Sequence, residues 1–353
     1  LGQSVAQQDP PAALNVAAYK AKMLALANLH PERKCLPGPA AAEPTATVVS
    51  TAAAPPAVSA LHTTAPARKR VKKVRLQPCA KPLWPVHSVY PDAGALLPFE
   101  RVVAYYGNFY SKQMGILGQY PPAEVLAKLQ AVVAAWTKAD PTTPVVPALD
   151  YITVSAQQAP GPDGDYRMRM PAGQIEKAIH MADQIHGLVF LDVQPGWSSL
   201  TSELPRLAPY LQLPNVELAL DPEFALVPGK RPGVWRGTMS AEQINYAARW
   251  LAQIVQQNHL APKILVVHRF TQHMVTEARF IRPLPEVEIV MDMDGFGSSA
   301  EKISAYRDFI EREPVQFTGF KLFYHNDIKW GHHLMSPAEI LALSPRPIYI
   351  VYQ

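Results

Sequence analysis

The stretch GLVFLDV, residues 187–193, is a short apolar run that ends with an acidic residue and a valine. Apolar runs without strict alternation are typical of strands buried on both faces of a parallel sheet. Seven more such runs predict strands at 101–107, 145–155, 216–220, 263–268, 286–292, 318–324 and 347–352. Helical patterns separate them, for example at 122–138 and 240–258. Eight strands alternating with helices predict a closed (β/α)8 TIM barrel over residues 99–353.

An open, doubly wound sheet is the alternative fold. It is disfavoured because no dinucleotide-binding or P-loop motif follows the first strand, and no cofactor is expected. The sequence stops at Gln353, directly after the eighth strand, where a regular barrel would continue into an outer helix. Residues 11–29 carry an apolar stripe of helical period. We therefore expect this segment to pack on the outer face between strands eight and one.

Residues 1–98 are predicted to form an N-terminal extension. The first 100 residues hold 14 of the 36 prolines, and residues 36–67 are Ala/Pro/Thr-rich and of low complexity. The first 100 residues have 11 Lys/Arg and 5 Asp/Glu, or +6, and the remainder has 22 and 24, or −2. The basic run at 68–75 has two interpretations, a polyanion-binding patch or a solvated linker. A net charge of +4 is too small to indicate a nucleic-acid partner, and no apolar run is long enough to span a membrane.

The two cysteines, Cys35 and Cys79, both lie in this extension. A loop-rich arm gains stability from a disulfide in an oxidising compartment, so we predict a Cys35–Cys79 bond, with free or intermolecular thiols as the alternative. Residue 1 is Leu rather than Met, as after removal of a signal peptide. These features predict a protein that is secreted to the periplasm, the cell surface or the medium.

Acidic residues stand where the predicted strands end. In a barrel of this kind the chemistry lies at that end. Alternation along a strand places residues i and i+2 on one face, so three same-face pairs are expected: Asp192/Gln194, Asp221/Glu223 and Asp292/Asp294. Crowded carboxylates raise the pKa of at least one member, and a protonated acid beside a carboxylate can cleave a glycosidic bond.

The candidate catalytic residues are accordingly Glu223 as general acid and Asp292 or Asp192 as base or nucleophile. Asp221 is expected to adjust the pKa values of this pair. Residues expected to bind substrate or to tune the acids are Asp150, Gln194, Asp294, His268, Lys321, Trp197, Trp235 and Tyr352. No metal is expected, because the histidines at 325, 332 and 333 lack zinc-ligand spacing.

The blocks LDVQPG (191–196), LALDPEF (218–224), VVHRFTQHM (266–274), MDGFG (293–297), FKLFY (320–324) and SPRPIYIVYQ (344–353) resemble a family of exported bacterial proteins of unassigned activity with a glycosidase-like barrel. Asp221-x-Glu223 is also similar to the D-x-E signature of lysozyme-like and chitinase-like barrels. That resemblance implies that Glu223 is the general acid. The seventh strand does not end in Glu, which disfavours the mechanism of the large two-glutamate clan.

Two functions follow from these patterns. The first is an exported glycoside hydrolase that acts on a polysaccharide. The second is a structural subunit of an extracellular assembly, in which the N-terminal arm docks on a neighbouring copy and forms a homo-oligomer. The ring of acids favours the first, and the low-complexity arm favours the second.

Overall fold

The computed structural model describes residues 13–29 and 82–353. The prediction of a (β/α)8 barrel is confirmed, because eight parallel strands close on themselves. β1 pairs with both β2 and β8, so that Val102 lies opposite Val146 on one side and Tyr349 on the other. The strands are β1 (Arg101–Gly107), β2 (Val145–Ala156), β3 (Leu188–Val193), β4 (Val216–Leu220), β5 (Lys263–Arg269), β6 (Val287–Met293), β7 (Phe317–Leu322) and β8 (Tyr349–Tyr352).

Helix α1 (Val16–Ala27) precedes the barrel strands. The helices that connect most of the strands and cover the outside of the ring are α2 (Ile116–Gln119), α3 (Pro122–Ala139), α4 (Ala172–Asp183), α5 (Leu200–Leu211), α6 (Ala241–Asn258), α7 (Ser299–Tyr306) and α8 (Pro337–Leu341). Two 3-10 turns, Gln272–Met274 and Ala278–Phe280, stand between β5 and β6. Short pieces of strand also occur in loops, at Arg167–Arg169, Met239–Ser240 and Val275–Thr276.

Alternation along the strands divides the core into two layers. Val103 and Tyr105 of β1 pack outward against the helices, whereas Val102, Ala104 and Tyr106 point into the barrel. Small and medium residues fill much of the inside. The polar side chains of the site begin above this apolar filling, towards the carboxyl ends of the strands.

The helix predicted at 11–29 is present, but its position differs from the expectation. Tyr19, Met23 and Ala27 form its buried face, and the first two belong to the cluster that fills the barrel. The helix contacts segments that precede strands: Lys22 donates to Thr142 O at 3.0 Å, and Arg346 N donates to Leu26 O at 2.6 Å. It therefore covers the amino-terminal end of the barrel instead of acting as an eighth outer helix, because the interior apolar layer would otherwise meet water there.

Several predictions concern residues that the structure does not describe. Cys35, Cys79, the basic run 68–75 and the stretch 36–67 all lie outside the described residues, so the disulfide and the assembly through the arm stay predictions. Helix α1 itself docks on the barrel of its own chain. Within residues 13–29 and 82–353, no helix combines the length and the apolar character that a membrane span needs.

Candidate functional site

A cavity of about 720 Å³ opens at the carboxyl ends of the strands. Side chains at the ends of the strands, or just beyond them, supply much of its polar wall, among them Tyr106, Gln194, Asp221, Glu223, Asp294, Lys321 and Gln353. Other polar lining residues come from loops and from α7, namely Gln113, Gln158, Arg236, Glu301, Lys302 and Asn326. Phe270 and Phe296 bring aromatic rings to the same wall. A concave site with a few convergent polar groups is the usual form of a ligand pocket.

Glu223 is the most exposed of the carboxyl groups that stand at the strand ends and line this cavity. It lies on a 3-10 turn, Pro222–Phe224, that starts directly after β4 and is capped by Asp221, whose Oδ1 accepts from Glu223 N at 3.2 Å. Its side chain is 29 % exposed, and Arg236 Nε lies 3.9 Å from its Oε1. Burial and the charge of Asp294 raise the pKa of Glu223 to about 7, against the opposing effects of Arg236 and Lys321. Near neutral pH this group can therefore donate a proton.

Asp294 and Lys321 form a buried ion pair beside Glu223. Lys321 Nζ lies 3.0 Å from Asp294 Oδ1 and 3.5 Å from the centroid of the Tyr106 ring. Burial alone would lower the pKa of Lys321, but the surrounding carboxylates, with Asp294 first and Asp221 next, raise it instead. The ammonium group thus stays charged and balances the carboxylate of Asp294.

The loop that carries Asp294 is held by a second buried pair. Lys302 of α7 donates to Gly295 O at 2.6 Å and to Lys321 O at 2.8 Å, and its Nζ lies 3.0 Å from Asp327 Oδ2. Asp327 Oδ1 accepts from Gly297 N at 3.0 Å. Lys302 and Asp327 therefore fix the end of β6 and the start of α7 against the end of β7.

Gln194 connects the cavity wall to the layer beneath it. Its Nε2 donates to Tyr106 OH at 3.0 Å, and its Oε1 accepts from Ala156 N at 3.1 Å. Tyr106 OH in turn donates to Asp192 Oδ2 at 2.8 Å. The phenol of Tyr106 thus separates the cavity from Asp192.

A second group of polar side chains lies below the cavity and does not line it. His268 Nδ1 lies 2.9 Å from Asp292 Oδ2, and its Nε2 lies 3.5 Å from Asp150 Oδ2. Tyr349 OH donates to Asp150 Oδ2 at 2.7 Å. Asp150, Asp192, His268 and Asp292 are completely buried.

The pKa shifts in this layer follow from burial and from the mutual proximity of the charges. Burial, followed by the charge of Asp150, raises the pKa of Asp192 to about 7. Burial would lower the pKa of His268, but its contacts with Asp150 and Asp292 outweigh that effect and raise it. The pKa of Asp292 is raised by burial, with His268 opposing the shift.

Most of the predicted site residues are brought together at this end of the barrel, but at two depths. Glu223, Asp221, Gln194, Asp294 and Lys321 line the cavity. Asp192, Asp292, Asp150 and His268 form the layer beneath it. Asp192 and Asp292, which were predicted as base or nucleophile, do not line the cavity, whereas Asp294 does, and the role of the two residues stays a prediction.

Three predicted binding residues lie away from the cavity. Tyr352 faces outward, where its OH accepts from Trp136 Nε1 of α3 at 2.9 Å. Trp197 contacts the ring of Tyr166 and donates from Nε1 to Lys230 O at 2.6 Å. Trp235 is an exposed loop residue that does not line the cavity.

Several functional candidates were missed in the sequence. Tyr106 could have been found, because it stands at the end of β1 among the polar residues there. Lys302 and Asp327 lie on a helix and a loop, and no local pattern marks these two residues as neighbours of the acids. Arg236 was not missed, because the long loop 221–239 that carries it is of the kind that can line a saccharide cleft, and it does line the cavity. The exposed His333 pairs with Glu339 at 2.8 Å.

Two groups of three described residues have the proximity needed to hold a metal ion. They are Asp150/Asp192/His268 and His268/Asp292/Asp294, with one ligand atom from each member within 4.8 Å of the others. The histidines at 325, 332 and 333 belong to neither group.

No protein-family model matches the sequence, and no curated protein matches it. Among solved structures, the chain is similar to a mannanase, man26, from Bacillus subtilis, at 12 % identity and a TM-score of 0.38, covering 75 % of this chain and 88 % of that one. A GH5 xyloglucan-specific endo-β-1,4-glucanase from a metagenomic library matches at 10 % identity and a TM-score of 0.35, covering 64 % and 77 %. The HPPK-DHPS protein of Plasmodium falciparum matches at 9 % and 0.34, covering 75 % and 47 %. Likeness at this level says nothing about the reaction.

Proposed function

We propose that this barrel cleaves a glycosidic bond of a polysaccharide, with Glu223 as the general acid and Asp294 as the second carboxylate. The observation that carries the proposal is the contrast between two carboxyl groups in one cavity. Glu223 has a pKa raised to about 7, and Asp294 is paired with a buried lysine. Glycoside hydrolysis requires such a pair, one member protonated and the other ionised.

The steps follow from the positions of these groups. Glu223 gives its proton to the glycosidic oxygen as the bond to the anomeric carbon breaks. The positive charge that develops on the sugar ring is stabilised by the carboxylate of Asp294, which either attacks the anomeric carbon or takes a proton from the attacking water. Lys321 Nζ lies 3.0 Å from Asp294 Oδ1 and gives it a positive partner, and Asp221 fixes the turn that carries Glu223.

The size and the wall of the cavity support a carbohydrate ligand. A volume of about 720 Å³ accommodates more than one sugar unit. Phe270 and Phe296 line it together with Gln158 and Arg236. Apolar ring faces beside hydrogen-bonding groups suit the two kinds of surface that a pyranose presents.

A glycan-release screen tests the proposal. Wild-type protein should release reducing ends from at least one polysaccharide, and Glu223→Gln should lower the rate by about 10²–10⁴-fold. Asp294→Asn should lower it similarly, because the amide cannot act as a carboxylate. Glu176→Gln, at an exposed position of α4, serves as the matched control and should keep the wild-type rate.

The anomeric configuration of the first product distinguishes the two roles of Asp294. Retention indicates attack by the carboxylate, and inversion indicates that it activates water. Equal rates for wild type and Glu223→Gln would refute the assignment of the general acid. Absence of release by the wild type across α- and β-linked polysaccharides would refute the activity.

A further inference from the structure

Four buried side chains of the layer beneath the cavity have a polar atom that no hydrogen-bond partner among the described residues satisfies. The atoms are Oδ1 of Asp150, Asp192 and Asp292, and Nε2 of His268, which lies 3.5 Å from Asp150 Oδ2. Asp150, Asp192 and His268 are completely buried, and one ligand atom from each lies within 4.8 Å of the others. An unsatisfied buried polar atom is costly, so its occurrence in three residues that lie this close together points to a bound ligand.

The other polar atom of each of these residues is already held by a neighbour. Tyr349 OH donates to Asp150 Oδ2 at 2.7 Å, and Tyr106 OH donates to Asp192 Oδ2 at 2.8 Å. Asp292 Oδ2 lies 2.9 Å from His268 Nδ1. Metal ligands in proteins are oriented in this way: a carboxylate or a hydroxyl fixes one atom of the ligand and leaves the other atom for the ion.

The balance of charge at this end of the barrel also favours a cation. Five buried carboxyl groups, Asp150, Asp192, Asp221, Asp292 and Asp294, lie in the two layers with three buried basic groups, His268, Lys321 and Lys302, among the described residues. Lys321 is engaged by Asp294, and Lys302 by Asp327. An excess of buried negative charge is unfavourable unless protons or a cation neutralise it.

We propose that Asp150, Asp192 and His268 bind one divalent transition-metal ion, of the class of Zn²⁺ or Mn²⁺, directly beneath the cavity. One imidazole nitrogen and two carboxylate oxygens suit these ions, whereas Ca²⁺ and Mg²⁺ prefer oxygen ligands alone. The competing group, His268/Asp292/Asp294, also has a free oxygen, Oδ1 of Asp292, but it is less suitable because Lys321 Nζ already lies 3.0 Å from Asp294 Oδ1 and supplies its positive charge. The site is independent of the proposed hydrolysis, since it does not include Glu223.

Metal binding by the purified full chain tests this site without reference to activity. After removal of metal with a chelator, isothermal titration of the wild type with Zn²⁺ and with Mn²⁺ should show one ion bound per chain for at least one of them. The same ion should raise the melting temperature, because it binds the folded state. Asp192→Asn and His268→Gln should each weaken binding by at least about tenfold.

A matched control is available at the opposite end of the barrel. Glu288 is equally buried, but both of its oxygens accept from backbone amides, at 3.2 Å from Leu96 N and 2.9 Å from Leu97 N. Glu288→Gln should therefore bind the ion as the wild type does. Asp294→Asn should also bind it, which separates the proposed site from the competing group.

The ligand atoms around zinc in the wild type test the proposed site even if a variant fails to fold. X-ray absorption should show nitrogen and oxygen ligands at roughly 2.0–2.2 Å. A sulfur ligand at roughly 2.3 Å would instead implicate Cys35 or Cys79 and overturn the proposal. Three other results would also overturn it: no saturable binding by the wild type, unchanged binding by both Asp192→Asn and His268→Gln, or loss of binding in Asp294→Asn alone.

Discussion

Lys321 Nζ lies 3.0 Å from Asp294 Oδ1, and the side chains of both residues are almost completely buried, at 2 % and 7 % exposure. The pair stands between the cavity and the acids beneath it, with the ring of Tyr106 on another side of the ammonium group. Among the described residues, Lys321 is the only lysine that forms an ion pair with a carboxylate of the cavity wall. Lys321 therefore controls how much negative charge the site can hold.

Replacing Lys321 by Met should destabilise the protein by roughly 3–5 kcal/mol at neutral pH, because it leaves Asp294 as a buried charge without its partner. The measurement is urea unfolding followed by circular dichroism. The control is Arg249→Met, which breaks an exposed pair with Glu242 of similar length, 2.8 Å. That variant should lose less than about 1 kcal/mol. Equal losses in the two variants would contradict the role assigned to Lys321.

The pKa of Glu223 predicts how activity depends on pH. Its value of about 7 lies above the ordinary range for Glu, so the side chain is protonated below neutrality and loses its proton as the pH rises through 7. A general acid works in the protonated form, and kcat/KM should therefore fall on the alkaline side of about pH 7. Titration of the Glu223 carboxyl carbon by NMR measures the same pKa directly.

The fall of kcat/KM above about pH 7 is the alkaline limb of the pH profile. Arg236→Gln should move this limb to higher pH, because the guanidinium group lowers the pKa of Glu223. The shift should be smaller than about one pH unit, since Arg236 is largely exposed and its charge is screened. Arg231→Gln, in the same loop, provides the control and should leave the limb in place. A limb that moves to lower pH in Arg236→Gln would exclude Glu223 as the titrating acid.

The strands could be predicted from the sequence almost to the residue. The segments expected at 101–107 and 216–220 coincide with β1 and β4, and the others differ by a few residues at their ends. Prediction succeeded here because a strand buried on both faces leaves a continuous apolar run. The same-face pairing of Asp192 with Gln194 also followed from alternation, and both residues contact Tyr106.

The depth of each acid and the orientation of β8 could not be predicted in this way. Whether Asp292 or Asp294 reaches the cavity depends on how the strands are staggered around the ring, which only the pairing register determines. In β8 both faces are apolar or aromatic, so nothing in the sequence distinguishes Tyr349, which points inward, from Tyr352, which points outward. The position of α1 was missed because its apolar stripe fits an outer face and a barrel end equally well.

Gly319 of β7 makes room for the buried acids, and this predicts a cost for any side chain at that position. A Cβ there would lie 2.5 Å from Asp292 Oδ1 and 3.0 Å from Tyr349 Cδ1. Gly319→Ala should therefore lower the free energy of unfolding by roughly 1–3 kcal/mol. Gly173→Ala is the control, because it lies in α4 with open space around it and should be neutral or stabilising by up to about 1 kcal/mol. Equal stability of the two variants in urea would contradict the close packing at Gly319.

Helix α1 should depend on its contacts with the barrel, since an isolated helix of 12 residues is marginal in water. Met23 is buried at the amino-terminal end of the barrel, whereas its neighbour Leu24 is 63 % exposed. Met23→Ala should lower the free energy of unfolding by roughly 2–5 kcal/mol and speed amide exchange along α1, because the cavity it leaves adjoins the apolar interior. Leu24→Ala removes an apolar side chain from the same helix but should change stability by less than about 0.5 kcal/mol. If the two substitutions had equal effects, the helix would not be docked through its Tyr19–Met23 face, and some other element would have to cover that end of the barrel.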